Sequence, residues 1–181
     1  MDIKLEEIIY VLTRYKELIR RNLETKKALY EEMDWEIADK ELIEALALKG
    51  RGAGTISSGG DKKGLDDLVI RKKDKKKAYM RELQKRIEFL DGEWEVIQRV
   101  WVCLQALPVD QYNILKMMYL EKEKWNVIER QLAISHGSLV KKRKEALINI
   151  QKMYNSSFSN LQLAEGRAYE SMKPEEKHRI R

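Results

Sequence analysis

The sequence is poor in cysteine, proline and histidine. Among its 181 residues it has one cysteine, two prolines and two histidines. Because the single cysteine, Cys103, can form neither a disulfide nor a cysteine-based zinc site within the chain, we expect a cytoplasmic location. The scarcity of proline, together with abundant Leu, Ile, Glu, Lys and Met, is typical of an all-α protein.

Long hydrophobic runs and catalytic motifs are missing as well. No apolar stretch approaches the roughly 20 residues of a membrane span, and the first residues, MDIKLEE, lack the basic and apolar parts of a signal peptide. The glycines of residues 50–64 lack the lysine-threonine ending of a phosphate-binding loop, and no carboxylate cluster stands apart from the surface Glu/Lys pattern. We therefore expect no membrane partner, no enzyme, no catalytic residue, no metal and no cofactor.

Charge, in contrast, is plentiful and unevenly distributed. The net charge of +6 permits an acidic partner such as nucleic acid but does not by itself indicate one. Positive charge is concentrated in residues 50–77 and 108–154, whereas residues 1–49 are net acidic. This distribution indicates that different segments of the chain have different roles.

Apolar residues recur at helical spacing in two long stretches. The N-terminal helical segment, residues 1–49, has a stripe that passes through Leu23 and Tyr30. Residues 65–107 carry a second stripe, with an average spacing of about 3.5 residues, and a flexible Gly/Ser linker, residues 50–64, separates the two. We expect an antiparallel hairpin of two long amphipathic helices, although the same stripes could serve a homodimer interface.

Three shorter helices are predicted in residues 108–154. They are Val109–Leu120, Trp125–Leu132 and a third from about His136 to Tyr154, which Ser135 is suited to cap. A short helix, a tight turn and a longer basic helix have the order of a helix-turn-helix DNA-binding domain. The remaining residues, 155–181, form a polar, weakly periodic tail that we expect to be disordered or a loosely docked helix.

The third of these helices has an apolar side and a polar, basic side. We expect the apolar side to pack on Trp125, Ile128 and Leu132. The other side is predicted to face a DNA major groove. The candidate DNA-binding residues are Ser135, His136, Gly137, Ser138, Val140, Lys141, Lys142 and Lys144.

Each candidate has a physical reason to be near DNA. His136 and Ser138 can hydrogen-bond base edges or phosphate, and Gly137 lets the backbone approach closely. Lys141 and Lys144 neutralise phosphates and release counterions. A Lys-Lys-Arg-Lys run is nevertheless more often only a solvated helix face, so the run alone does not indicate nucleic acid.

The residues from Leu107 to Ile150 follow a distinctive order. They begin with Leu-Pro, continue with Ile-Leu, Tyr-Leu and Trp-x-x-Ile, place a hydrophobic-Ser pair before the last helix and end with Ala-Leu. This order resembles region 4 of bacterial sigma-70 factors. With the leading helix, the Ser/Gly-rich segment and the basic helix that precede it, the chain is similar to phage transcriptional regulators of the RinA and ArpU type.

The resemblance implies a phage or prophage late-gene activator that binds promoter-region DNA and acts with host RNA polymerase. The positions that face the promoter in the family match His136, Gly137, Ser138, Val140 and Lys141. Gly137 and Val140 stand where sigma factors commonly carry charged residues, so the base preference does not carry over. The segment that melts promoter DNA in sigma factors has no counterpart, so the chain is not expected to replace a complete sigma factor.

Two other functions fit the same residues. One is a DNA-packaging component, similar in role to a small terminase subunit, in which the long helices build a ring. The other is a protein-interaction module that keeps a sigma-like fold without binding DNA. The partners predicted for the first function are double-stranded DNA, bacterial RNA polymerase and a second copy of the chain through the long helices.

Overall fold

The computed structural model describes residues 2–50 and 62–166, with the side chains of residues 2–34 and 73–166. Within these ranges the chain is mostly helical and has no β-strand, which confirms the prediction of an all-α protein. None of the helices described combines the length and the apolar character that a membrane crossing needs. Most of the predicted linker and the end of the predicted tail lie outside the described residues.

Six α-helices and one π-helical turn make up the described part of the chain. The helices are α1, Leu5–Gly50; α2, Lys62–Gln105; α3, Val109–Leu115; α4, Trp125–Leu132; α5, His136–Tyr154; and α6, Asn160–Ala164. The π-helical turn, Lys116–Leu120, follows α3, and the amide of Glu121 donates to the carbonyl of Lys116, five residues earlier, at 3.0 Å. The helix predicted over Val109–Leu120 is therefore divided, whereas α4 and α5 have the predicted bounds.

The chain divides into two compact units. Unit 1 consists of Met1–Arg20 and Trp94–Arg181, and unit 2 consists of Arg21–Glu93. The helices α1 and α2 contribute to both units, whereas α3 to α6 belong to unit 1. All the candidate DNA-binding residues therefore lie in unit 1.

Unit 2 has a small core that joins its part of α1 to its part of α2. The core residues are Leu29 from α1 and Leu83, Ile87 and Leu90 from α2. Asn22, which is 2% exposed, donates from Nδ2 to the backbone oxygen of Leu90 at 2.8 Å. A buried polar side chain thus occupies a position in the apolar face of α1, and its hydrogen bond to α2 offsets part of the cost of burial.

The apolar stripe predicted for α1 is wrong at two positions of unit 2, although Met33, which belongs to the same stripe, is partly buried against the core. Leu23 and Tyr30 are each 51% exposed, whereas Asn22 and Leu29, one residue earlier in each case, are buried. Positions 22 and 29 are seven residues apart, as are 23 and 30, so spacing alone cannot distinguish the two faces. Residue type favoured the wrong face, because Asn22 is polar and its buried partner is a backbone carbonyl that periodicity does not reveal.

The core of unit 1 has a larger and a smaller cluster. The fully buried members of the larger cluster are Ile8, Leu12, Val100, Cys103, Leu104, Leu115, Ala146, Ile150, Met153 and Leu163. The smaller cluster consists of Ile114, Met117, Ile128 and Leu139. Because α5 contributes to both clusters, its orientation in unit 1 is fixed along most of its length.

Part of the predicted polar tail is packed against the rest of unit 1. The guanidinium of Arg99 donates to the backbone oxygens of Tyr154, Ser156 and Phe158 at 2.8, 2.9 and 3.1 Å. These bonds satisfy carbonyls at and beyond the end of α5 that have no helical partner. The short helix α6 follows, with a capping box and with Leu163 fully buried.

Candidate nucleic-acid interface

Three residues connect α4 to α5 and determine where α5 begins. Ala133 is in the left-handed region, with φ 51° and ψ 42°, and the amide of Ile134 donates to the carbonyl of Glu129 at 3.1 Å, which ends α4. Ser135 is the N-cap of α5, as predicted, and its hydroxyl accepts a hydrogen bond from the amide of Ser138 at 3.3 Å. The chain therefore turns tightly, and α5 starts at a defined residue.

Apolar contact holds α5 against the helices that precede it. Ile128 of α4 and Leu139 of α5 are both fully buried in the smaller cluster of unit 1, and Leu132 is partly buried against them. The predicted packing on Ile128 and Leu132 is confirmed. The predicted burial of Trp125 is wrong, since this residue is 37% exposed. As the first residue of α4, Trp125 is too close to the end of the helix to be covered by that cluster.

The face of α5 opposite this packing is exposed. It carries His136, Gly137, Val140, Lys141 and Lys144. The spacing of four residues places His136, Val140 and Lys144 in one row along the helix and Gly137 and Lys141 in the next. Ser138 is also exposed, but its hydroxyl is bound to that of Ser135 at 3.1 Å. One surface of α5 therefore presents an imidazole, a backbone segment without a side chain, two methyl groups and two ammonium groups.

The four cations of the Lys-Lys-Arg-Lys run separate into two pairs. The Nζ atom of Lys142 lies 2.8 Å from Oδ2 of Asp110, and the Nε atom of Arg143 donates to the hydroxyl of Tyr119 at 2.8 Å. The hydrogen bond from Lys142 holds the pKa of Asp110 below its ordinary value. Within the described part of the chain, neither Lys141 nor Lys144 has an ion pair.

Two residues of α4 that were not among the predicted site residues lie beside the start of α5. Oε1 of Glu129 is 2.7 Å from Nδ1 of His136, and the rings of Trp125 and His136 have centroids 5.2 Å apart at a tilt of 44°. The available signal was the four-residue spacing of Trp125 and Glu129, which puts both on one face of α4. The turn that brings this face to His136 could not be derived from spacing.

The described residues offer little for metal or thiol chemistry. No group of His, Cys, Asp and Glu among them could hold a metal ion. Cys103 is fully buried in unit 1, and burial raises the pKa of its thiol to about 12. The thiol is therefore protonated at neutral pH and has the character of a core residue.

Comparisons of the chain with protein-family models, with curated proteins and with solved structures find no match. The likeness to sigma-70 region 4 therefore depends on the residues from Leu107 to Ile150 alone. A function for the exposed face of α5 must be inferred from its chemistry.

Proposed function

We propose that this protein is a sequence-specific DNA-binding transcriptional regulator in which α4 and α5 form a helix-turn-helix. In this proposal α5 enters the major groove with its first three turns, and α4 lies across the entrance of the groove. The observation that carries the proposal is the exposed face of α5, where Lys141 and Lys144 have no carboxylate partner among the described residues and stand beside groups that can contact bases. Packing of Ile128 on Leu139 supports it, because that contact holds the face outward.

The groups on this face match the chemistry of base edges and phosphates. His136 offers a ring nitrogen for hydrogen bonds, and Val140, which is 41% exposed, offers methyl groups for the C5 methyl of thymine. Gly137 has no neighbour within 4 Å of the place where a Cβ would lie, so the backbone there is open to close approach. Lys141 and Lys144 supply the phosphate contacts that give affinity without sequence information.

The long helices have a separate part in the proposal. In unit 2, Asn22 contacts Leu90 and Glu32 contacts Tyr79. Higher residue numbers in α1 are therefore paired with lower residue numbers in α2. These contacts support an antiparallel hairpin of α1 and α2. We assign the hairpin to contact with a second copy of the chain or with bacterial RNA polymerase.

The proposal is tested by selecting binding sites for the full chain from a random duplex library, followed by affinity measurement on the selected site at several salt concentrations. We expect the Ser138→Ala/Lys141→Ala variant to lose affinity for the selected site, by about 1–3 kcal/mol where the removed group contacts a base. Because Lys141 contacts phosphate in this proposal, the variant should also show a weaker dependence of affinity on salt. Lys152→Ala is the matched control, because Lys152 is an exposed lysine in the last turn of the same helix. Its specific affinity should equal that of the wild type.

The outcomes separate the functions. Equal specific affinity of the double variant and the wild type would contradict the proposal. Absence of duplex binding at low salt would favour a protein-interaction module. Transcription from a template that carries the selected site, with purified bacterial polymerase, then tests the regulatory part of the proposal.

A further inference from the structure

The imidazole of His136 is held in place by α4 at the start of the exposed face. Oε1 of Glu129 lies 2.7 Å from Nδ1, and the indole of Trp125 lies against the ring at 5.2 Å between centroids. Among the described residues, Glu129 makes the side-chain hydrogen bond of the imidazole and Trp125 makes its ring contact. The side chain of His136 is 67% exposed and that of Glu129 is 27% exposed, so the ring faces solvent while its anchor is largely covered.

The carboxylate of Glu129 determines whether Nε2, the outer nitrogen of the His136 ring, accepts or donates a hydrogen bond. An ionised carboxylate only accepts hydrogen bonds, so the proton of a neutral imidazole must be on Nδ1, and Nε2 then carries a lone pair. When the ring gains a second proton, Nε2 becomes a donor while the bond between Nδ1 and Glu129 is kept. One nitrogen, fixed in position, therefore changes from acceptor to donor without a change in the fold.

We propose that Glu129 is a positioning residue that fixes His136 in the Nδ1–H form, and that Nε2 thereby reads one base pair in a proton-dependent way. As an acceptor, Nε2 binds the amino group of adenine or cytosine. As a donor, it favours guanine, which presents two neighbouring acceptors, N7 and O6, whereas adenine and thymine present one each. The inference rests on the proposed function, because it assigns a specificity to the same face of α5.

The charges around the ring are consistent with this assignment. The element that contacts the ring is α4, whose charged residues are Glu129 and Arg130. Arg130 does not reach His136 but donates from Nε to the backbone oxygen of Asn126 at 3.2 Å. On α5 itself, the nearest cation of the exposed face is Lys141, more than one turn further along. Glu129 is thus the charged group that contacts the imidazole.

The tautomer is tested on the free full-length protein by nitrogen NMR of the imidazole, with a His178→Gln variant to assign the signal of His136. We expect the neutral ring to carry its proton on Nδ1, and Glu129→Ala to remove this preference. Glu123→Ala is the control, because Glu123 is an exposed glutamate just before α4. A neutral His136 with its proton on Nε2 would overturn the inference without any reference to DNA.

Base reading is tested by selecting sites from one random duplex library at about pH 8 and at about pH 6, the range in which histidine changes charge. We expect one position of the selected site to change from adenine or cytosine to guanine as the pH falls. In the Glu129→Ala variant the preference at that position should fall about tenfold, with the rest of the site kept. Glu123→Ala should keep the preference.

The remaining outcomes are distinguishable. The same base at both pH values, or an unchanged preference in Glu129→Ala, overturns the inference and leaves the proposed function standing. If acid strengthens binding equally for all sequences, Nε2 donates to phosphate and base reading is overturned. If no duplex is selected at any pH, the proposed function fails and the inference fails with it.

Discussion

Both faces of α5 carry basic residues, but the surroundings of these residues differ. On the inner face, Arg143 and Lys142 bind Tyr119 and Asp110, next to the fully buried Leu139. On the outer face, Lys141 and Lys144 are exposed beside Val140. The run of four cations is therefore divided, since one pair is bound within the domain and the other pair is exposed to solvent.

This difference shows how little a basic run says before its neighbours are known. An ammonium group that is held by a carboxylate of its own domain contributes less to the binding of a phosphate, because the internal ion pair must be broken first. For an exposed pair this costs less than about 1 kcal/mol. Only the cations without internal partners should contribute fully to the salt dependence of DNA binding. Substitutions on the two faces should therefore separate stability from binding.

The largest effect is expected at Leu139. Leu139→Ala removes a fully buried side chain from the cluster it forms with Ile114, Met117 and Ile128, so the free energy of unfolding should fall by about 2–5 kcal/mol. Val140→Ala, the next residue on the opposite face, should cost less than about 0.5 kcal/mol. Chemical denaturation of both variants measures the difference, and equal losses would show that the two faces are not distinct.

A smaller loss of stability is expected at Tyr119. Tyr119 is 7% exposed, and its hydroxyl accepts a hydrogen bond from Arg143. Tyr119→Phe leaves the half-buried guanidinium without this acceptor and should lower the free energy of unfolding by about 1 kcal/mol. Affinity for DNA should not change, since Arg143 belongs to the inner face.

The control for Tyr119→Phe is Tyr112→Phe, which removes a hydroxyl from a half-buried tyrosine of α3. It should leave stability unchanged, because no hydrogen bond of that hydroxyl occurs among the described residues. A weaker affinity for DNA in Tyr119→Phe at unchanged stability would instead place Arg143 on the binding surface.

A still smaller effect on stability is expected at Asp110, with an opposite effect on binding. The pKa of Asp110 is lowered in the folded protein by Lys142, so the stabilisation is present above the ordinary carboxyl pKa and is lost as the pH falls through the folded value. Asp110→Asn should remove this acid-dependent part, which is less than about 1 kcal/mol because the side chain is 55% exposed. Denaturation at several acidic pH values measures it.

The same variant should strengthen binding to DNA. Asp110→Asn frees the ammonium of Lys142 for a phosphate, and the slope of log affinity against log salt should steepen by about 0.9. Asp2→Asn, which changes the charge equally at another exposed carboxylate of unit 1, is the control. An equal slope in Asp110→Asn and Asp2→Asn would mean that Lys142 does not reach the DNA.

Sequence alone predicted the helical elements of unit 1 well, because its local signals agree with the fold. Ser135 supplies a cap hydroxyl, and the turn before it interrupts the helical pattern, so the start of α5 could be placed at the right residue. Pro108 likewise marks the start of α3, since a proline fits the beginning of a helix but not its interior. These signals act within a few residues and need no knowledge of tertiary contacts.

The sequence-based predictions failed where a residue far away in the sequence determines the burial or the pairing of a side chain. The stripe through Leu23 and Tyr30 was wrong because Asn22 is buried by a bond to Leu90, which is 68 residues away. Likewise, the exposed face of α5 could be predicted from periodicity. Which cations of α5 are bound within the domain and which are exposed could not. Lys142 and Asp110 are 32 residues apart, and no pattern in the sequence joins them.

At Gly137 a small gain in stability is expected, paired with a specific effect on binding. A Cβ built there meets nothing within 4 Å, so Gly137→Ala should stabilise the fold by about 0.4–1 kcal/mol through the unfolded chain. If the backbone of α5 approaches the DNA closely, the added methyl group should weaken specific binding. Gly92→Ala is the matched control, since its Cβ is equally free in the helix α2 and lies far along the chain from α5. Gly92→Ala should stabilise the fold without changing affinity, and wild-type affinity in Gly137→Ala would show that the outer face contacts DNA through its side chains alone.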